Sequence, residues 1–257
     1  MKTEELRENI EHNYYKVVIG HRRQCLVKPA LRAIYRHWAD CIRSCLSSVY
    51  GKSIELGCGC GALSWHMPEL IKTDLYKHEW VDEIVDACNM PYADNECANF
   101  VAIDVLHHLS DVPAFFNEVN RALKYGGRLI LLEPYISPIS FIIYNYFHHE
   151  PVDMKVFPFD PVKTVGSFGE AANSAIPTLL FIRHRAEFNK RWPHLKIINI
   201  ILRDAIVYPL TGGFSYRNWL PCFLVNPLIK IEDRILKYTG FINAVRMLVV
   251  IEKVSFP

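Results

Sequence analysis

The fold is decided by an apolar strand that runs directly into a glycine-rich loop, Ser53-Ile54-Glu55-Leu56-Gly57-Cys58-Gly59-Cys60-Gly61. Because glycine has no side chain, such a loop lets the backbone come close to a bound ligand when it lies between a strand and a helix. We predict a strand over residues 53–56 and a short helix over residues 62–67. The stretch therefore indicates a ligand-binding loop at the carboxyl end of a first strand.

The glycine spacing and the acid before it restrict the ligand. Dinucleotide-binding loops follow the spacing G-x-G-x-x-G and receive a pyrophosphate. Here the spacing is G-x-G-x-G, and Glu55 precedes it. A carboxylate at the end of the strand would repel a pyrophosphate but would attract a cation or an amino group. The loop therefore favours a positively charged ligand.

Short apolar runs alternate with helical stretches in the core, residues 51–134. Four more strands are predicted, at residues 70–74, 83–87, 100–105 and 128–133. A helix with one apolar face is predicted at residues 111–124, and too few residues separate the second and third strands for another. Strands that alternate with helices pair in parallel through right-handed crossovers. The class predicted is a doubly wound α/β fold.

The rest of the chain adds a helical start, two insertions and two strands. A long amphipathic N-terminal helix is predicted to end at Gly51. Another helix is predicted near the C-terminus, over residues 221–238. Strands at residues 195–202 and 246–252 complete a Rossmann-like, seven-stranded, mostly parallel sheet with helical cap insertions. The proposed segments are residues 1–50, 51–134, 135–195 (first cap), 196–203, 204–245 (second cap) and 246–257.

Composition restricts the class of protein. The 257 residues are 51% hydrophobic and carry a formal net charge of +2, which gives no electrostatic case for a nucleic-acid partner. Neither a secretory signal nor a spanning stretch is found, so we expect a cytoplasmic protein. Its eight cysteines are predicted to be reduced. Cys58 and Cys60 lack a second ligand pair at zinc-site spacing, so no metal is predicted.

The glycine loop with its preceding acid resembles motif I of the class I S-adenosylmethionine (SAM)-dependent methyltransferases, of the type 11 kind. Later segments of the chain match the family's further motifs in the expected order: Asp74, Asp86-Ala87, residues 90–95, residues 105–109 and residues 118–127. Two positions depart from the family pattern. Cys97-Ala98 stands where the family commonly has Phe-Asp, and Tyr125 replaces the proline of a Lys-Pro-Gly-Gly turn. The resemblance covers roughly residues 50 to 134.

This resemblance implies an enzyme that uses SAM as its cofactor. It implies that Asp74 binds the two ribose hydroxyls, since a carboxylate supplies two acceptors, and that Asp86 and Ala87 contact the adenine. Glu55 suits the α-ammonium group. The cofactor-binding residues implied are Glu55, Gly57, Cys58, Gly59, Gly61, Asp74, Leu75, Asp86, Ala87, Ile103, Asp104 and His107.

The methyl acceptor is less restricted by the sequence. His148 and His149 follow the fifth strand and are the first candidates for a general base, with Glu150 beside them and Glu133 at the strand end. Aromatic residues in both insertions are typical of a lid over an apolar substrate. We predict a small-molecule or a lipid- or sugar-linked acceptor, methylated at oxygen, with peripheral membrane contact as an option. The segments Glu133-Pro134-Tyr135 and Thr211-Gly212-Gly213-Phe214-Ser215 resemble those of methyltransferases associated with bacterial surface-polysaccharide pathways.

Other functions stay open from the sequence. A non-catalytic SAM-binding relative that acts as a partner protein would keep the same loop. A nicotinamide-dependent oxidoreductase is disfavoured by the glycine spacing and by Glu55. A protein or nucleic-acid amine methyltransferase is disfavoured because residues 104–107 do not form an Asn-Pro-Pro-Tyr type motif. The oligomeric state is not predicted.

Overall fold

A seven-stranded sheet forms the centre of the protein. The structure is a computed structural model that describes residues 2–147, 150–162 and 172–255. In chain order the strands are β1 (Lys52–Leu56), β2 (Ile71–Asp74), β3 (Glu83–Ile84), β4 (Cys97–Ile103), β5 (Leu123–Pro134), β6 (Leu195–Arg203) and β7 (Arg246–Lys253).

The strand order is β3-β2-β1-β4-β5-β7-β6. Strands β3, β2, β1, β4 and β5 are parallel, and β7 is antiparallel to both of its neighbours. After β1 the chain moves outward to β2 and β3 and then returns to the other side of β1. In open α/β sheets, ligands bind where the order reverses in this way. The predicted fold class is confirmed, and the reversal puts a crevice between the ends of β1 and β4.

Helices flank the sheet and fill both insertions. They are α1 (Lys2–Val27), α2 (Pro29–Cys45), α3 (Val112–Ala122), α4 (Pro138–Phe147), α5 (Ile176–Thr178), α6 (Arg185–Arg191), α7 (Val207–Leu210) and α8 (Cys222–Asn243). A 3₁₀ turn follows β4, and a π-helical turn continues α5. In the described part of the chain, none of these helices is both long enough and apolar enough to cross a bilayer.

Two apolar layers lie on opposite faces of the sheet. Successive residues of a strand point to opposite faces, so the neighbours Phe100 and Val101 of β4 belong to different layers. One layer packs against α3 and α6, and the other packs against α2 and α8. The second layer includes Trp38, whose indole N–H donates to Asp204 Oδ2 at 3.0 Å. All eight cysteines are free thiols.

The N-terminal prediction of one long helix ending at Gly51 is wrong. Two helices are present, and they meet at Lys28, whose backbone is extended (φ −110°, ψ 91°). The break has a local cause: Pro29 has no N–H and disfavours a helical conformation at the residue before it. The second helix ends at Cys45, six residues before Gly51.

The predicted helix over residues 62–67 is also wrong. These residues form turns, held by bonds from the amides of His66 and Met67 to Leu63 O at 2.9 and 3.0 Å. Gly61, with φ +69°, and Pro68 leave too few residues between them to offset the cost of starting a helix. The predicted absence of a helix between β2 and β3 is confirmed.

Candidate functional site

The glycine loop lies at the carboxyl end of β1, with Gly57, Gly59 and Gly61 at φ +63°, +47° and +69°. A Cβ atom on Gly57 would lie 2.6 Å from Val105 Cγ2, and one on Gly61 would lie 2.7 Å from Trp80 Cδ1. At Gly59 the nearest heavy atom would be 4.0 Å away. Gly57 and Gly61 are therefore required for packing, whereas Gly59 leaves open space where backbone can approach a ligand.

Side chains from distant segments hold this loop in place. The Trp80 indole N–H donates to Gly59 O at 2.7 Å, and Arg22 of α1 donates to Cys60 O at 2.9 Å. The Arg22 guanidinium also lies over the Trp80 ring, 4.1 Å from its centroid. Helix α1 thus closes over the loop, a role that the sequence did not predict. The spacing of Tyr14, Val18 and Cys25, all buried, is a helical signal that could have indicated it.

Glu55, at the end of β1, is buried and lines the cavity beside the loop. Its Oε2 atom has no hydrogen-bond partner among the described residues. Burial raises the pKa of Glu55 to about 8, and the nearby charges of Cys60 and Asp74 add to the increase. A buried acceptor without a partner is costly, so this carboxyl is suited to bind a cationic group that enters the cavity.

Asp74, at the end of β2, is also buried at the cavity wall. Its Oδ2 accepts bonds from Gly59 N at 2.9 Å and from the Tyr14 hydroxyl at 3.0 Å. The Asp74 carboxylate thus joins β2, the glycine loop and α1. Leu75, which follows it, is half exposed and lines the same cavity. The binding of ribose by Asp74 stays a prediction.

Asp86 and Ala87 also line the cavity, two and three residues beyond the end of β3. The strand ends at Ile84, so the prediction of a strand through residue 87 was too long. Asp86 forms a single bridge with Asn89, and its Oδ1 accepts a bond from Cys88 N at 2.8 Å. The contact of Asp86 and Ala87 with adenine stays a prediction.

The end of β4 carries a charged pair. Asp104 follows the strand with φ +56° and lines the cavity together with Ile103. Arg246, at the start of β7, is buried and donates to Asp104 Oδ1 at 2.6 Å. Its guanidinium lies 4.6 Å from the centroid of the Trp38 ring. Sequence analysis missed Arg246, although an arginine that opens an otherwise apolar strand is a signal for a buried partner.

His107 is the centre of a buried ionic group. Its Nδ1 lies 2.6 Å from Glu133 Oε2, and its Nε2 lies 3.2 Å from Glu150 Oε2. Burial lowers the pKa of His107, but the charges and hydrogen bonds of Glu133, and then of Glu150, outweigh it and raise the pKa to about 10. His107 is therefore a cation at neutral pH. It connects β5 to the first insertion and holds Glu150 at the cavity.

Among the residues that the structure describes, two sets of side chains have donor atoms within 4.8 Å of one another and could hold a metal ion: His107, His108 and Glu150, and Asp104, His107 and Glu133. Both sets use His107, whose ring nitrogens already bond to carboxylates. We therefore assign these contacts to ion pairs. His148 and His149, the predicted bases, lie outside the described residues.

One cavity of about 870 Å³ is lined by Glu55, Asp74, Asp86, Asp104, His107, Glu150 and Arg246, whereas Gly61 and Glu133 are not part of its lining. One wall, which we call the cofactor side because the sequence predicts cofactor contacts there, is formed by the glycine loop and the ends of β2 and β4. The other walls come from α1, α4 and the segment 208–216. That segment contributes Tyr208, Phe214 and Tyr216. The two insertions that were predicted to cap the site therefore both reach it.

Residues 54–131 match the family described as a methyltransferase domain. The chain contains a methyltransferase domain. This domain holds the glycine loop, Asp74, Asp86, Asp104 and His107. The protein is a SAM-dependent methyltransferase and SAM is its cofactor, as the sequence predicted.

Three solved structures are similar to this chain over most of its length. A SAM-dependent methyltransferase from Archaeoglobus fulgidus is 12% identical, with a TM-score of 0.50 over 86% of this chain and 94% of that one. The YcgJ protein from Bacillus subtilis is 15% identical (TM-score 0.47, 86% and 100% covered). A geranyl diphosphate C-methyltransferase from Streptomyces coelicolor A3(2), solved with S-adenosyl-L-homocysteine, is 12% identical (TM-score 0.44, 85% and 77%). No match was found among curated proteins.

Proposed function

We propose that this methyltransferase acts on an oxygen atom of an amphiphilic small molecule, an acceptor carried on a lipid or a sugar. The observation that carries the proposal is the position of Glu150. Its carboxylate lines the cavity and is held there by His107 Nε2 at 3.2 Å and the Ser174 hydroxyl at 3.3 Å. A hydroxyl acceptor loses its proton during methyl transfer, and a carboxylate fixed at the cavity wall can take it.

The residues on the cofactor side fit SAM. When bound, SAM supplies an electrophilic methyl group on a sulfonium sulfur. Glu55, whose Oε2 has no partner in the described chain, would bind the α-ammonium group. Asp74 would bind the ribose hydroxyls, and Asp86 with Ala87 would face the adenine. The remaining predicted contacts would line the cofactor: Gly57, Cys58, Gly59, Gly61, Leu75, Ile103, Asp104 and His107.

His107 and Glu133 position the base. Because its pKa is raised to about 10, His107 is protonated at neutral pH and cannot itself take the proton of the acceptor. Its two N–H groups donate to the two carboxylates, so Glu133 orients the ring and the ring orients Glu150. His148 and His149 directly precede Glu150 in the chain, and their role as bases stays a proposal beside that of Glu150.

The acceptor side supports an amphiphile because it combines aromatic surfaces with charge. Phe147, Tyr208, Phe214 and Tyr216 line the cavity together with the Asp104–Arg246 pair. Aromatic faces pack against alkyl chains or the apolar faces of sugar rings. The charged pair and Glu150 offer hydrogen bonds to hydroxyl groups. These features suit a lipid- or sugar-linked alcohol, the acceptor class that the sequence predicts.

The test measures methyl transfer from radiolabelled SAM to an alkyl glycoside, with the matching free sugar and an alkyl amine as comparison acceptors. We expect the Glu150→Gln variant to lose at least about 10²-fold in kcat, while its Kd for SAM by calorimetry is unchanged. Asp160→Asn, a change at an exposed carboxylate outside the cavity lining, is the matched control. His148→Ala and His149→Ala test the competing bases. Full activity of Glu150→Gln, or transfer only to the amine, would contradict the proposal.

A further inference from the structure

Helix α8 has an unusual outer surface. Its inner side is buried through Val225, Ile229 and Leu236, as expected for a helix packed on a sheet. Its outer side is also apolar: Phe223, Ile231, Tyr238 and Phe241 are 77%, 51%, 80% and 63% exposed. The steps between these residues place them on one side of the helix. A helix on the surface of a globular protein normally carries polar residues on its solvent-facing side.

The charges of α8 are divided between the same two sides. Its three basic residues, Lys230, Arg234 and Lys237, are exposed. Its two acidic residues are turned towards the protein. Glu232 accepts bonds from the amides of residues 206 and 207, and Asp233 accepts bonds from Arg203. The outer side of α8, all of which the structure describes, therefore presents three cations and no anion around the apolar stripe.

The segment before α8 and the helix that contacts it, α4, both contribute residues to the cavity lining. Trp219, just before α8, is 72% exposed, and its neighbour Tyr216 both lines the cavity and donates its hydroxyl to Phe147 O at 2.7 Å. Phe147 ends α4, a helix that contacts α8 and has no charged residue in its sequence. Exposed Ile142 and Tyr146 extend the apolar surface along α4. We call the outer sides of α4 and α8 the apolar face.

We propose that the apolar face binds the surface of an anionic lipid bilayer, with α8 lying in the plane of the membrane and the cavity mouth turned towards the lipid. Helices that lie at a membrane interface combine large apolar side chains with flanking lysine and arginine. Tyrosine and tryptophan, amphipathic rings found here at positions 238 and 219, favour the same boundary. Each cation near an anionic leaflet adds to the binding free energy.

The charge pattern disfavours a second copy as the occupant. A two-fold interface would place the same patch on both subunits, so Lys230, Arg234 and Lys237 would face the same three cations of the other copy. With the two acids of α8 turned inward, such an interface has no compensating anions on this helix. An anionic bilayer provides them. The inference goes beyond the proposed function, because membrane binding requires neither cofactor nor acceptor.

The test is sedimentation of the full chain with vesicles of phosphatidylcholine, with and without phosphatidylglycerol. We expect binding that requires phosphatidylglycerol and weakens with salt. Replacing Lys230, Arg234 and Lys237 together with glutamine should weaken it by on the order of a hundredfold. Replacing Phe223 and Phe241 with serine in the wild type should also weaken vesicle binding, since the apolar contact is lost. This loss should be seen even at low salt, where the electrostatic attraction is strongest.

The matched control replaces three exposed cations away from the apolar face, Arg185, Lys190 and Lys155, with glutamine. This variant should bind vesicles like the wild type. The proposal would be overturned if the control variant lost as much vesicle binding as the glutamine variant of α8. It would also be overturned if binding did not depend on phosphatidylglycerol, or if the protein did not bind vesicles. Light scattering that shows a dimer dissociated by the serine changes would overturn it as well. Calorimetry with SAM checks folding separately, because none of these residues lines the cavity.

Discussion

Glu55 makes a pH-dependent cofactor affinity the most direct test of the site. Its pKa is raised to about 8 by burial, so the free protein holds it mainly as the neutral acid at pH 7. An ammonium group that enters the cavity stabilises the ionised form and lowers this pKa. Binding of SAM must therefore release a proton, and the affinity must rise as the pH rises towards 8.

The size of the effect follows from the pKa. Glu55 is ionised in roughly a tenth of the free molecules at pH 7 and in roughly a hundredth at pH 6. The Kd for SAM should then fall about tenfold from pH 6 to pH 7, which is about 1.4 kcal/mol of binding free energy. Below pH 7 the α-ammonium group of the cofactor itself stays mostly charged, so the change belongs to the protein.

Calorimetry in buffers of different ionisation enthalpy measures both the Kd and the number of protons released, which should be about 0.9 at pH 7. Glu55→Gln is the control, because it keeps the neighbouring charges of Cys60, Asp74 and Lys72 but cannot ionise. It should bind more weakly, with a nearly flat profile. A flat wild-type profile, or the same slope in Glu55→Gln, would refute the assignment of Glu55 to the ammonium group.

Three further changes test other parts of the structure. His107→Gln removes a cation from between two carboxylates and should cost about 3–5 kcal/mol of unfolding free energy at neutral pH. Because the folded pKa of His107 is raised, the wild type should lose that contribution as the pH rises through about 10, and urea unfolding of the variant should lack the decline. Gly240→Ala would put a Cβ 2.9 Å from Leu202 Cβ and should cost about 1–3 kcal/mol, whereas Gly20→Ala, with nothing within 4 Å, should leave the melting temperature unchanged or higher. Asp74→Ala should weaken SAM binding by about tenfold or more in calorimetry, and an unchanged Kd would remove the ribose assignment.

The sheet was predictable because each core strand is a short apolar run bounded by turns, as in residues 53–56 and 246–252. The prediction of secondary structure failed where tertiary packing or a single residue determines the backbone conformation. Pro29 divided an amphipathic pattern that looks continuous. Residues 62–67 have buried positions at helical spacing, Leu63 and Met67, yet turns bury the same side chains. A pattern of burial does not specify the backbone that achieves it.

The sequence could place the predicted cofactor contacts near one another because they lie close to strand ends within a local motif, and their contact with the cofactor stays a prediction. The partners of these residues could not be predicted, because they come from distant positions. Asp104 and Arg246 are 142 residues apart, and His107 meets Glu150 only because the first insertion folds back over the end of β4. Its position after the fifth strand indicated Glu150 as a residue near the acceptor, but the sequence did not predict that it would pair with His107.

Because helix α1 forms one wall of the cavity, we expect exchange of the cofactor to involve movement of this helix. Its residues Tyr14 and Arg22 hold Asp74 and the Cys60 carbonyl, and Val18 with His21 completes the wall beside the glycine loop. Opening that wall breaks the contacts which also fix the loop. Residence time and turnover are then linked to the same opening, and a bound cofactor should slow hydrogen exchange throughout residues 14–22. We therefore expect the N-terminal helix, which lies outside the matched domain, to influence the rate of turnover.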